Sequence, residues 1–136
     1  MRPPIELREG DQLKPRELGP VAQTDIVRFA GAGGDFNPLH HDPAFAAAAG
    51  FDTVIAMGQM QAGMLASWVT DAVGVEHLRG FEVRFVAPVR AGDTLRFAGE
   101  VVSVADENGT PVAELALTAA TEQGDAVKGR AWVQVS

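Results

Sequence analysis

A chain of 136 residues with 46% hydrophobic and 21% charged side chains can bury a core and is too apolar to stay disordered. Its formal net charge of −7 excludes the basic footprint that nucleic-acid binding needs, and leaves any anionic ligand to local arginines, lysines or helix N-termini. The absence of cysteine excludes disulfides, thiolate metal sites and a cysteine nucleophile. No apolar run reaches the length of a membrane span. Met1-Arg2-Pro3-Pro4 leads into charged residues rather than an apolar signal region, so a soluble cytoplasmic protein is expected.

Residues 1–23 carry four prolines and mixed charge, with a short strand expected near Val21-Ala22. Thr24 has the chemistry of a helix N-cap, and Asp25 suits the positive end of the helix dipole. Ile26, Phe29 and Ala30 form one face of a short amphipathic helix, which Gly31, Gly33 and Gly34 end. After a polar loop, Asp42-Pro43 caps and opens a brief alanine-rich helix that Gly50 stops. Residues 51–57 connect to Gly58. Residues 59–73 then read as a helix that is apolar nearly all round, with Met60, Met64 and Trp68 on one face and Leu65, Val69 and Ala72 on the next. Such a helix is buried on most sides.

Everything after Gly74 alternates as strands do. Phe81, Val83 and Phe85 face one way, with Glu82 and Arg84 between them. Ala91-Gly92-Asp93 turns into a strand bearing Leu95, Phe97 and Val101, whose alternation slips near Gly99 as at a bulge. Asn108-Gly109 is a strong hairpin signal. Ala113, Leu115, Leu117 and Ala119 share a face, and Gln123-Gly124-Asp125 turns into a last strand carrying Val127, Ala131, Val133 and Val135. Helices first, then one buried helix, then four antiparallel strands make an α+β chain with one sheet face wrapped on the helix. Val102 and Trp132 on the other face point to completion of burial by dimerisation.

The chemistry concentrates in Gly34-Asp35-Phe36-Asn37-Pro38-Leu39-His40-His41-Asp42. Proline fixes its own φ and holds the preceding residue extended, so Asn37-Pro38 marks a turn. A loop reversing there can bring Asp35 and His40 onto one cavity. A carboxylate and an imidazole that converge on one water can take a proton from it and return one elsewhere. Asp42 is assigned to the helix cap and His41 to the surface. A metal site from His40, His41 and Asp42 is disfavoured, since consecutive loop residues rarely converge on one ion.

Asp35-Phe36-Asn37-Pro38-Leu39-His40, with Asp42-Pro43 and Phe45 following, resembles the catalytic loop of the MaoC-like (R)-specific enoyl-CoA hydratases and dehydratases. Phe85-Val86-Ala87-Pro88-Val89 with Gly92-Asp93 is similar to a segment common to many hot-dog proteins. The resemblance runs from about Thr24 to the end and implies a single hot-dog domain over residues 1–136. It implies that Asp35 and His40 are the acid–base pair and that the N–H of Gly58 polarises a thioester carbonyl, with Asn37, Met57 and Gln59 lining the substrate. The implied reaction adds water to a trans-2-enoyl thioester of CoA or acyl carrier protein, or removes it from a (3R)-3-hydroxyacyl one. It needs no cofactor. The implied assembly is a homodimer, or a heterodimer with a second hot-dog subunit.

This chain departs from the family in having Met57-Gly58-Gln59 where His-Gly-Met is common, and Ala66 where some members carry a serine. Two other readings stand beside the hydratase: a hot-dog acyl thioesterase, whose usual signature is not this loop, and a non-catalytic subunit, which would typically lack the Asp/His pair.

Overall fold

The computed structural model describes residues 1–136. A short strand β1 (Arg16–Leu18) precedes helices α1 (Gln23–Gly33), α2 (Pro43–Ala48) and α3 (Gly58–Val73). Four strands follow: β2 (Leu78–Phe85), β3 (Leu95–Glu107), β4 (Thr110–Thr121) and β5 (Gly124–Gln134). The five strands form one antiparallel sheet in the order β1-β3-β4-β5-β2. The α+β expectation holds, with one strand more than the alternation alone suggested.

That extra strand lies earlier than Val21-Ala22. Arg16-Glu17-Leu18 pairs with Leu95–Phe97. Val21 instead exchanges main-chain hydrogen bonds with the turn before β3, donating to Asp93 at 2.8 Å and accepting from Gly92 at 2.7 Å. The start of α1 also differs from expectation. Its N-cap is Ala22 rather than Thr24, and Asp25 Oδ2 reaches back to the Ala22 N–H at 3.2 Å. The acidic residue thus satisfies an orphan donor that the cap side chain cannot.

The β3–β4 hairpin closes through Asn108 and Gly109, with φ of 53° and 86°. Both lie in the left-handed region that a two-residue turn of this hand requires. The irregularity expected near Gly99 falls two residues on, where the β3–β4 register shifts between Val101 and Ser103. Gly99 answers to packing instead. A Cβ there would lie 3.0 Å from Leu117 and 3.2 Å from the Trp68 ring. Trp68 stacks on Phe97 with ring centroids 6.1 Å apart and donates Nε1–H to the Lys14 carbonyl at 3.1 Å.

Helix α3 buries Met60, Leu65, Trp68, Val69 and Val73 against the sheet, in a core that includes Val101, Leu115, Leu117, Ala131 and Val133. Full burial of such a side chain stabilises by about 1.5–3 kcal/mol. Truncating the fully buried Leu65 to alanine would cost about 2–5 kcal/mol, since the cavity adds to the lost transfer energy. Burial is less complete than the all-round apolar pattern implied: Gln59, Gly63, Ser67 and Asp71 form an exposed stripe. No helix is long and apolar enough to cross a membrane.

Candidate active site

The loop after α1 is built almost entirely from local hydrogen bonds. Gly34, with φ of 70°, ends the helix in the left-handed conformation, and the Asp35 N–H closes on the Ala30 carbonyl at 2.9 Å. Asn37 caps a single 3-10 turn, Pro38–His40, its Oδ1 accepting the Leu39 N–H at 3.0 Å. Asp35 Oδ1 accepts the Asn37 N–H at 3.2 Å. The loop thereby fixes the Asp35 carboxylate by one oxygen and leaves the other free.

The second oxygen faces His40, with Asp35 Oδ2 lying 3.3 Å from His40 Nε2. The imidazole is almost fully buried, whereas the carboxylate is about half exposed. His40 Nδ1 lies 2.7 Å from the main-chain oxygen of Ile55. A carbonyl can only accept, so Nδ1 carries the hydrogen. In the neutral ring Nε2 is then a bare lone pair turned toward a carboxylate oxygen. Two acceptors cannot bond each other directly. The arrangement therefore wants a shared proton, or a water that donates one hydrogen to each group. The Ile55 N–H in turn donates to the Leu39 carbonyl at 3.0 Å, so the connector before α3 grips the loop at both Leu39 and His40.

Gly58 opens α3, where the first N–H groups have no intrahelical acceptor and carry the positive end of the helix dipole. Its lack of a side chain is also demanded by packing, because a Cβ would lie 2.8 Å from the Phe85 ring. Gly58 shares a cavity of about 390 Å³ with Ile55, Gln59, Gln61, Phe85 and Pro88. The residue that orients His40 and the residue at the helix entrance thus line one space. In that space Gln61 is a signal sequence reading passed over. It is a polar residue buried on an apolar helix, and its Oε1 has no hydrogen-bond partner.

The other expected site residues are distributed as follows. Gln59 lines the cavity beside Gly58. Met57 is buried in the core, and the Asn37 side chain is engaged in its own turn. Asp42 caps α2 as expected, with Oδ1 accepting from Ala44 at 3.0 Å and Phe45 at 3.2 Å. His41 reaches only the Phe36 carbonyl, at 3.3 Å. His77 is buried and donates Nε2–H to the Arg2 carbonyl at 2.6 Å, which ties the N-terminus to the end of α3.

The family model described as "MaoC like domain" matches residues 5–123. The chain belongs to the MaoC-like family. It is 33% identical to the (R)-specific enoyl-CoA hydratase of Aeromonas caviae over 115 residues, covering 82% of this chain and 84% of that one. It is 32% identical over 120 residues to the 3-hydroxyacyl-thioester dehydratase Z of Mycobacterium tuberculosis strain H37Rv, covering 83% of this chain and 80% of that one. Among solved structures it is similar to the ChsH1–ChsH2 complex from Mycobacterium tuberculosis, with a TM-score of 0.81 at 27% identity over 94% of this chain and 98% of that one. Such MaoC-like neighbours share the helix-and-sheet arrangement described above, the hot-dog fold.

Proposed function

We propose that this MaoC-like chain interconverts trans-2-enoyl and (3R)-3-hydroxyacyl thioesters, with Asp35 and His40 as its acid–base pair. The observation that carries this reading is the facing of Asp35 Oδ2 and His40 Nε2 at 3.3 Å, with His40 turned by Ile55. Two proton acceptors held that way suit one water between them. In hydration the water oxygen bonds to C3 of the enoyl group while the pair takes one of its hydrogens. The electrons of the double bond move toward the thioester carbonyl, and the pair returns one hydrogen to C2. The pair ends each cycle as it began, and dehydration runs the same steps backwards.

Charge develops on the thioester oxygen during attack. In this reading the N–H of Gly58, at the head of α3, meets it, and a preformed donor of this kind is worth about 3–4 kcal/mol in other enzymes. The stereochemistry is taken from the likeness to the (R)-specific hydratase. The carrier is CoA or acyl carrier protein, whose thioester chemistry is the same.

The assembly we propose is a homodimer. Strand β2 pairs only with β5, which leaves an eight-residue edge open, and long free edges are usually covered. The likeness to the ChsH1–ChsH2 complex favours a second reading, in which a different hot-dog subunit occupies that edge. Light scattering on the purified chain separates the two: twice 14.3 kDa supports self-association, and a lone monomer supports the heteromer. Activity is tested by following loss of the conjugated enoyl absorbance of but-2-enoyl-CoA. Turnover by the chain alone that Asp35→Asn abolishes supports the reading. Turnover that survives both Asp35→Asn and His40→Gln removes it.

A further inference from the structure

Gln61 is a buried polar residue that neither the fold nor the acid–base pair uses. It stands on α3 among the buried Met60, Leu65 and Trp68, with a relative exposure of 3%. Its Oε1 is out of contact with solvent and accepts no hydrogen bond from any N–H or O–H of the chain. Buried polar side chains are bonded as a rule, because an acceptor taken from water without a partner is destabilising. Methionine, of the same length and unbranched, would fill the place on an apolar helix without that penalty. A ligand that supplies the missing donor accounts for glutamine here.

The cavity that Gln61 lines defines which part of a ligand can do so. Its volume of about 390 Å³ lies within the ~300–1,000 Å³ of small-molecule sites. Ile55 and Gly58 line it too, the one holding His40 and the other opening α3. Gln61 stands three residues after Gly58, so the two are neighbours on one helix face, ~5–6 Å apart. With the thioester oxygen at the Gly58 N–H, the missing donor lies about that far from the carbonyl carbon. The enoyl side has no N–H or O–H, and the hydroxyl of the hydrated product belongs at Asp35 and His40. The carrier side has one. In CoA and in the arm of acyl carrier protein alike, the thioester sulfur is followed by two methylenes and an amide N–H. That nitrogen is four bonds from the carbonyl carbon, roughly 5 Å when extended. The last torsion of a glutamine side chain is broad and two-fold, so the amide can turn Oε1 toward the cavity.

We infer that Gln61 Oε1 accepts a hydrogen bond from the first amide N–H of the carrier arm. Gln61 is then a substrate-binding residue that selects thioesters of this arm over simple alkyl thioesters. The inference rests on the proposed thioester function and deepens it. The arm is common to both carriers, so Gln61 serves CoA and acyl carrier protein alike.

The test compares two substrates that differ at that one position. S-But-2-enoyl-N-acetylcysteamine carries the N–H, and its S-(4-oxopentyl) counterpart has a methylene in the same place. In the wild type kcat/KM should favour the first by at least about tenfold, since a site built to bond an N–H rejects the analogue that lacks it. In Gln61→Met that ratio should fall to within about twofold of unity. Gln61→Leu repeats the comparison, and should either variant fold poorly the other decides. A wild type that treats the two thioesters alike, or a ratio that survives in the variants, overturns the inference. If neither thioester is turned over, calorimetric titration of the unreactive butanoyl-CoA decides. Binding about tenfold weaker in Gln61→Met would keep Gln61 assigned and remove the acid–base reading, whereas unchanged binding would overturn the inference itself.

Discussion

His40 donates its Nδ1–H to the Ile55 carbonyl at 2.7 Å, so the group that orients the imidazole is main chain, from a different segment than the loop that carries His40. Both members of the pair should matter to chemistry and differ in what they do for stability. Asp35→Asn keeps an acceptor for the Asn37 N–H, and its side chain is 44% exposed; its stability should stay within about 0.5 kcal/mol of wild type. His40→Ala leaves the partly buried Ile55 oxygen without its partner and should cost about 1–3 kcal/mol. Each should lower kcat by roughly two to four orders of magnitude. Paired kcat and urea-denaturation measurements check both halves.

The entrance of α3 makes a second prediction. Gly58→Ala places a methyl against the Phe85 ring, 2.8 Å from its nearest atoms, and one of the two must move. Overpacking of this kind typically costs about 1–3 kcal/mol, and a displaced first N–H should reduce kcat more than KM. Because the obstacle is a half-exposed side chain rather than backbone, Phe85→Ala in the same protein should recover much of the lost stability. A double-mutant cycle by thermal melting reads this directly. Additive losses would show that the methyl is resisted by something other than Phe85.

The α+β order, the buried helix, the Asn108-Gly109 hairpin and the Asp42 cap could all be read from local chemistry, because each depends on a few adjacent residues. Local chemistry allowed Asp35 and His40 of one short loop to meet, but it was the resemblance of Asp35-Phe36-Asn37-Pro38-Leu39-His40 to the MaoC-like loop that singled out the pair. What escaped were relations between segments distant in sequence. The grip of Ile55 on His40 is made by main-chain atoms that have no sequence signature. The packing of Phe85 on Gly58 joins residues 27 positions apart, and Phe85 alternates like any strand residue. Strand β1 is only three residues long and lies flanked by prolines and charge, so its partner β3 makes it a strand rather than its own pattern. Gln61 was visible as a polar residue inside an apolar helix, but its meaning depends on what surrounds it.

Asp42 serves as the control for the whole loop. Its carboxylate accepts from two main-chain N–H groups of α2 and touches no member of the pair. Asp42→Ala should cost about 1 kcal/mol through the lost cap and leave kcat within roughly twofold of wild type. Denaturation midpoints and initial rates on the same preparation measure both quantities.

At the other end of α3, the Glu76 carboxyl is held below the ordinary carboxylate range. Hydrogen bonds from its own main-chain N–H and from the Arg2 N–H lower it most, partial burial raises it, and the positive charges of His77 and Arg2 lower it further. A group depressed on folding adds stability that is fully present at neutral pH and is lost as pH falls through the folded value. Tm of the wild type should therefore fall below the ordinary carboxylate range, and Glu76→Gln should flatten that part of the profile while lowering Tm at neutral pH. A Tm profile identical in the two proteins would remove Glu76 from the acid response.

The central claim is that Asp35 and His40 deliver water to one face of an enoyl thioester held by Gly58. It is tested most directly by the product of a single substrate. Purified protein, with nothing added, is given trans-2-enoyl-CoA, and the 3-hydroxyacyl product is resolved by enantiomer. The account predicts (3R)-3-hydroxyacyl-CoA as the sole product, at an initial rate unchanged by chelator and reduced at least about a hundredfold in Asp35→Asn. The (3S) product, or wild-type turnover retained in Asp35→Asn, would contradict it.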